Sequence, residues 1–280
     1  VLALPSETLS AMAKIPGKNF LVNLVERRSL LFQLVRRDFQ TRFVGSAAGW
    51  LWGLIHPLVL LLSWVFVFQI CMKVELPRGT ITSNYTMYLF AGFLPWLLFQ
   101  ETVQRAPSSL LDHSNLITKT IFPAEVVPVS VFLSSLVNHL LALSLVMVAV
   151  KIWLGHFGPW VLMLPVYMFL LGLLAVGVGW IVSALHVYLR DTAQVVSVMM
   201  TLWFWITPIF ITEKQYPEQF RFLLRLNPLA YLVGAYRERL LSDHPPDWHE
   251  LVILAGFAVG TFVVGGLFFR HLKRGFADVL

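Results

Sequence analysis

Residues 47–71 read AAGWLWGLIHPLVLLLSWVFVFQIC. No formal charge interrupts this run, and it is longer than the roughly 20 apolar residues a helix needs to cross hydrocarbon. Five further apolar runs follow, at about 85–103, 124–150, 160–188, 195–211 and 251–269. The second contains Pro95, and the fourth carries Gly172, Gly177 and Gly179, small residues that let helices approach closely. His56-Pro57 breaks the donor pattern of the first run, which predicts a bend near its inner third. Composition agrees with a bilayer environment. Of the 280 residues, 58% are hydrophobic and only 13% charged, against roughly 25% charged in soluble domains. A surface that poor in charge does not cover a globule in water. The expectation is an all-α integral membrane protein with six transmembrane helices over 47–280, preceded by a cytoplasmic N-terminal part, 1–46.

Within 1–46, Leu30, Leu31, Leu34 and Val35 interleave with Arg27, Arg28, Arg36, Arg37 and Arg42. That spacing suits an amphipathic interface helix, its guanidinium groups toward lipid phosphates; a solvated linker helix is the alternative. The 212–250 segment is polar but seeded with Phe220, Phe222, Leu223, Leu224, Leu226, Leu229, Tyr231, Leu232 and Tyr236. Two readings stay open there: short re-entrant or interfacial helices split at Asn227-Pro228, or an external cap packed on the bundle. The formal net charge of +6 is read as basic flanks beside anionic lipid rather than as a nucleic-acid surface. Thirteen of the 21 Lys and Arg fall on one side of the six-span plan, seven of them before the first span. The positive-inside rule makes that side, and both termini, cytoplasmic. No cleaved signal peptide is expected from the first 25 residues.

Several chemistries lack their residues. There is no GxxxxGK[ST] phosphate loop, HExxH, GxSxG or CxxC. The lone Cys71 allows no intrachain disulfide, and the eight histidines form no ligand cluster by spacing. Only Glu101, Asn138-His139 and His186 come near to being ionisable groups deep in a run. They read as interhelical hydrogen bonds more readily than as a proton relay. Aromatic residues make up 14% of the chain. Trp64, Phe68, Tyr88, Phe93, Trp96, Trp203 and Trp205, with Phe66 and Phe204 beside them, lie inside or near the outer halves of runs, where rings pack a core or stack against sugar faces.

Six local patterns in order resemble the ABC-2 type permeases that export bacterial surface polysaccharides, over roughly residues 30–280. They are Arg37-Asp38-Phe39 to Arg42-Phe43 with Gly45-Ser46, Gly49, Trp52 and Pro57; Phe90-Ala91-Gly92-Phe93-Leu94-Pro95-Trp96; Asn115-Leu116-Ile117 with Lys119, Phe122-Pro123 and Pro128; Arg190-Asp191 with Thr207-Pro208-Ile209; Asn227-Pro228-Leu229; and Lys273-Arg274-Gly275-Phe276-Ala277-Asp278. The resemblance implies a bacterial inner-membrane permease working as two copies with two nucleotide-binding ATPase subunits. ATP and Mg would sit on the ATPase, so this chain would be a transport subunit with no cofactor or catalytic site of its own. Arg36, Arg37, Asp38, Arg42, Asn115 and Lys119 would couple to the ATPase. The substrate would be an undecaprenyl-diphosphate-linked polysaccharide, O-antigen-like before capsule or teichoic acid, with the seven aromatics above along its path. Rival expectations are an ABC-2 permease for a small lipid or drug, a membrane-embedded glycan-modifying enzyme, and an ion-coupled transporter. No appended carbohydrate-binding domain is read in the chain.

Overall fold

The computed structural model describes residues 28–42, 46, 49–119 and 122–279. The expectations for 1–27, and those on Phe43, Gly45 and Ala47, lie outside the described residues. The described chain is all helical. In order it forms α1 (Arg28–Arg42), α2 (Trp52–Trp64), α3 (Tyr85–Asp112), α4 (Ser114–Lys119), α5 (Val126–Leu154), α6 (Leu164–Tyr188), α7 (Thr192–Ile206), α8 (Arg221–Leu226), α9 (Pro228–Leu241), α10 (Trp248–Leu272) and α11 (Phe276–Val279).

Four stretches are long and apolar enough to cross a membrane: Trp52–Cys71, Val126–Leu154, Pro159–Tyr188 and Trp248–Gly275. They coincide with the expected first, third, fourth and sixth runs. The other two runs differ from expectation in instructive ways. α3 is long enough, but it continues to Asp112 through Gln100, Glu101, Gln104 and Arg105, and most of its side chains are buried in protein rather than turned outward. α7 is apolar but has only 15 residues, because the chain leaves helical geometry at Thr207, where Pro208 follows and biases its predecessor to extended backbone. α2 runs unbroken across Pro57. Its irregularity comes later, where Val65–Cys71 is wound as a π-helix.

Contacts give each helix its direction. Asn138 of α5 faces Gly53 of α2, and farther along α2 Trp64 meets Phe93. The bundle's two ends can then be named by their pairs. One end joins Asp38 to Arg105, Glu125 to Lys273 and Tyr188 to the Leu272 carbonyl. The opposite end joins Gln69 to Thr86, Tyr85 to the Phe210 carbonyl and His156 to Asp243. α3, α6 and α10 therefore run one way, and α2, α5 and α7 the other. α3 is the hub, packed against α5, α6, α7 and α9. α1 packs on α5, with Leu34 buried while Phe32 stays exposed.

α6 and α10 meet at their backbones. A Cβ on Gly265 would strike the Gly177 carbonyl oxygen, and one on Gly177 would lie 2.6 Å from the Thr261 oxygen. The expected role of Gly177 in close approach is thus realised, with Gly265 as its counterpart. Beside this contact Trp180 is fully buried, and its indole N–H donates to the Glu125 carbonyl at 3.0 Å. Gly256 and Gly260 of α10, by contrast, have nothing near their missing side chains.

Gly265→Ala is therefore expected to cost about 1–3 kcal/mol through overpacking, whereas Gly260→Ala should be neutral or stabilise by up to about 1 kcal/mol through helix propensity. Thermal unfolding midpoints in detergent separate the two; equal midpoints would contradict the close backbone contact.

Candidate functional site

The segment between α7 and α10 is organised by one side chain. Arg237 of α9 is only 4% exposed. Its Nε donates to the Tyr88 carbonyl at 3.1 Å, Nη1 to the Pro208 carbonyl at 2.7 Å and Nη2 to the Ile209 carbonyl at 2.5 Å. The guanidinium carbon also lies 3.6 Å from the centre of the Tyr88 ring, a cation–π contact. Gly92, one turn along α3 from Tyr88, leaves the room this needs, since any Cβ there would collide with the guanidinium.

Two of the three carbonyls thus engaged, those of Pro208 and Ile209, belong to the unwound stretch after α7. Backbone outside a helix is tolerated at membrane depth only when protein or water satisfies it. Here Tyr85 donates to the Phe210 carbonyl at 3.1 Å and Tyr88 to that of Ile211 at 3.3 Å, while the Thr207 carbonyl accepts from Ile209 N–H. Asn227 closes the same knot. Its Oδ1 caps the start of α9 at Leu229 N–H and accepts from the Trp203 indole at 2.8 Å; its Nδ2 donates to Thr207 Oγ1 at 3.0 Å. Three sequence patterns, those around Gly92, Thr207-Pro208-Ile209 and Asn227-Pro228, therefore meet in one place.

The aromatic residues singled out from sequence are brought together. Trp64 packs edge-on to Phe93 at 4.7 Å and to Phe210 at 4.9 Å, and lies 5.3 Å from Phe204. Phe68 contacts Phe210, Trp96 contacts Phe204, and Trp205 stacks on Phe210 at 5.4 Å. Trp203 joins through Phe99. Within this one chain Tyr88, Phe93 and Trp96 are buried, Trp64, Phe68 and Trp203 half-buried, and Trp205 is exposed. Phe204 links the group, and so does Phe210, which was not singled out from sequence. Neither was Arg237, whose signal is a basic residue beside Leu229, Leu232, Val233, Tyr236 and Leu240 at helical spacing.

At the other end, Asp38 turns into the bundle. Its two carboxylate oxygens accept from Arg105 Nη2 and Ser134 Oγ, both at 2.5 Å. Asn138 reaches Glu101 at 3.4 Å in the next layer. α1 is thereby clamped to α3 and α5. Arg36 and Arg37 stay exposed on α1, and Asn115 on α4. Arg42 ends α1 and Lys119 ends α4, and their side chains lie outside the described residues. The buried His139 bonds to Tyr236 Oη at 3.1 Å, and with the Asn138–Glu101 contact this gives the interhelical hydrogen bonds expected of Glu101, Asn138 and His139, whereas His186 Nδ1 is buried with no hydrogen-bond partner among the described residues. Among the described residues, no group of three or more His, Cys, Asp or Glu is placed to hold a metal ion.

The sequence pattern of the ABC-2 type transporter family matches residues 29–241. The O-antigen export system permease protein RfbA of Myxococcus xanthus is 31% identical over 258 residues, which is 91% of this chain and 96% of that protein. A Klebsiella pneumoniae protein of the same name is 28% identical, covering 90% and 95%. The polysialic acid transport protein KpsM of Escherichia coli is 22% identical, covering 85% and 91%.

Arg237→Met would strand buried carbonyls and is expected to destabilise by about 3 kcal/mol or more. Arg237→Lys keeps the charge but loses the planar fork, so it should fall between. Thermal unfolding combined with limited proteolysis of 207–247 measures both, and an unaffected 207–247 segment in Arg237→Met would refute this role.

Proposed function

We propose, from the premise that the chain belongs to the ABC-2 type transporter family, that it is the permease subunit of an ATP-driven exporter of undecaprenyl-diphosphate-linked polysaccharide in a bacterial inner membrane. The observation that carries the substrate class is the gradient of likeness. Among these relatives, identity to proteins named for O-antigen export is 31%, 28% and 26%, and to those named for polysialic acid and capsule 22% and 19%. An O-antigen-like glycan is therefore the first choice, with a small lipid or drug as the alternative cargo.

In this reading α3 and α7 complete six spans. α3 tolerates its polar residues because it is wrapped in protein. α7 is lengthened by the unwound residues 207–211, and α8 and α9 return into the membrane from the outer face. The end bearing Asp38, Arg105 and Lys273 is cytoplasmic, as the basic flanks require. There α1, through Arg36, Arg37 and Arg42, and α4, through Asn115 and Lys119, meet a nucleotide-binding ATPase that holds ATP and Mg. The Asp38 clamp then carries motion from α1 into α3 and α5.

Two copies of the chain would enclose the path. The exposed apolar faces of α2 with its π-helical continuation Val65–Cys71 and of α7, including Phe66, Leu202 and Trp205, supply a wall that a second copy covers in part. Trp64, Phe68, Trp203 and Trp205 would offer ring faces to passing sugars, with Tyr88, Phe93 and Trp96 as the packed layer behind. Arginines near the cytoplasmic face suit the diphosphate, because guanidinium donors match phosphate oxygens.

Co-purification with the product of an adjacent ATPase gene, followed by ATPase assay with and without lipid-linked glycan, tests the reading. A stable complex stimulated by the glycan lipid is expected; a chain that purifies without such a partner would overturn it. The layered arrangement makes a second prediction. Trp205→Ala should slow export severalfold with an unchanged unfolding midpoint, while Trp96→Ala should lower stability by about 3–5 kcal/mol as a core truncation. Surface polymer and detergent unfolding are the readouts, and full export in Trp205→Ala would remove it from the path.

A further inference from the structure

The last of the six sequence patterns has no role in the reading above, yet the structure invests several contacts in it. α10 ends at Leu272, a 3-10 turn spans Lys273–Gly275, and α11 follows it. Lys273 Nζ reaches the buried carboxylate of Glu125 at 2.5 Å, just before the start of α5. Tyr188 Oη at the end of α6 donates to the Leu272 carbonyl at 2.8 Å. Gly275 sits against that same hydroxyl: a Cβ would lie 2.5 Å from Oη, while the next ring atom is an ordinary 3.6 Å away. Phe276 is 1% exposed, its ring 5.5 Å from Phe269 and 6.2 Å from Tyr188. So anchored to α5, α6 and α10, α11 packs against α4.

α4 is a single short helix of six residues, too short to be stable by itself in water. It must take its position from what it rests on. Behind it lies α3 and beside it α11. We propose that the hook Lys273–Val279 is a positioning element that holds α4 in the orientation an ATPase partner engages. Its residues set the affinity for that partner without contributing to the aromatic path. The inference rests on reading the chain as an ATPase-driven permease, but the placement of α4 is measurable with no ATPase present.

The test uses the full chain with Cys71→Ala, since Cys71 is exposed, and a nitroxide label at Asn115→Cys on the exposed face of α4. In Phe276→Ala and in Gly275→Ala, the label should gain mobility in its electron paramagnetic resonance spectrum. The unlabelled variants should bind the ATPase roughly tenfold more weakly, as for loss of one anchor. Adding Tyr188→Phe removes the one atom that the alanine methyl of Gly275→Ala meets too closely, and with it the bond to the Leu272 carbonyl, so Gly275→Ala with Tyr188→Phe should be no looser, and bind no more weakly, than Tyr188→Phe alone; a general folding defect would not be rescued to that level. A label equally immobile in Phe276→Ala and the parent, or a double variant looser than Tyr188→Phe alone, overturns the proposal. A label that loosens and is rescued, in a parent chain that binds no ATPase, upholds the hook and instead sinks the ATPase-driven reading.

Discussion

The end of this bundle that carries α9 depends on the pairing of one buried guanidinium with a row of main-chain carbonyls. A chain that stops being helical inside a protein leaves carbonyl groups that neither water nor a helix can satisfy. Residues 207–211 would be such a stretch. Arg237 meets two of these carbonyls and one from α3 with its planar fork, and the Tyr85 and Tyr88 hydroxyls meet two more. The same contacts place α9 against α3 and put Asn227 where it can join Trp203 and Thr207. Remove the guanidinium and α9 has no specified register on α3. The aromatic group also loses its fixed neighbour at Phe210, since the chain carrying that ring is the chain being held.

This arrangement explains what the sequence discloses and what it hides. The first, third, fourth and sixth runs are legible because their side chains face an apolar surrounding on most sides, so hydropathy reports their environment directly. α3 is harder to delimit. Its helix outlasts its apolar run because Glu101 and Arg105 find partners in Asn138 and Asp38, and partners on other helices are invisible to local composition. α7 is overestimated for the opposite reason: Pro208, Ile209 and Phe210 are apolar but not helical. Arg237 was counted among the basic residues of a polar segment, since nothing in its immediate sequence shows that Gly92 has left it a space.

The aromatic and coupling residues show a similar limit. Residue type and approximate depth sufficed to collect Trp64, Phe68, Phe93, Trp96, Trp203 and Trp205, and these do adjoin one another through Phe99, Phe204 and Phe210. Depth of burial separates them further into a packed layer and an accessible one, and that distinction arises only when helices are docked. At the opposite end, Asp38 sits amid arginines in sequence and reads as part of a charged surface. In the fold its carboxylate points away from that surface and into α3 and α5, leaving Arg36 and Arg37 outside.

The separation of the partners along the chain also has a temporal meaning. Tyr88 and Arg237 are 149 residues apart, and Glu125 and Lys273 are 148 apart. A ribosome delivering about 5–20 residues per second leaves the earlier partner waiting for roughly seven to thirty seconds. Throughout that interval α3 stands in the nascent protein with a notch at Gly92 that no side chain of its own can fill. Both ends of the bundle are thus closed by late arrivals, the notch first and the Glu125 carboxylate afterwards. Whatever shields those two polar gaps in the unfinished chain, whether lipid headgroup, water or insertion machinery, is displaced by the protein's own final helices.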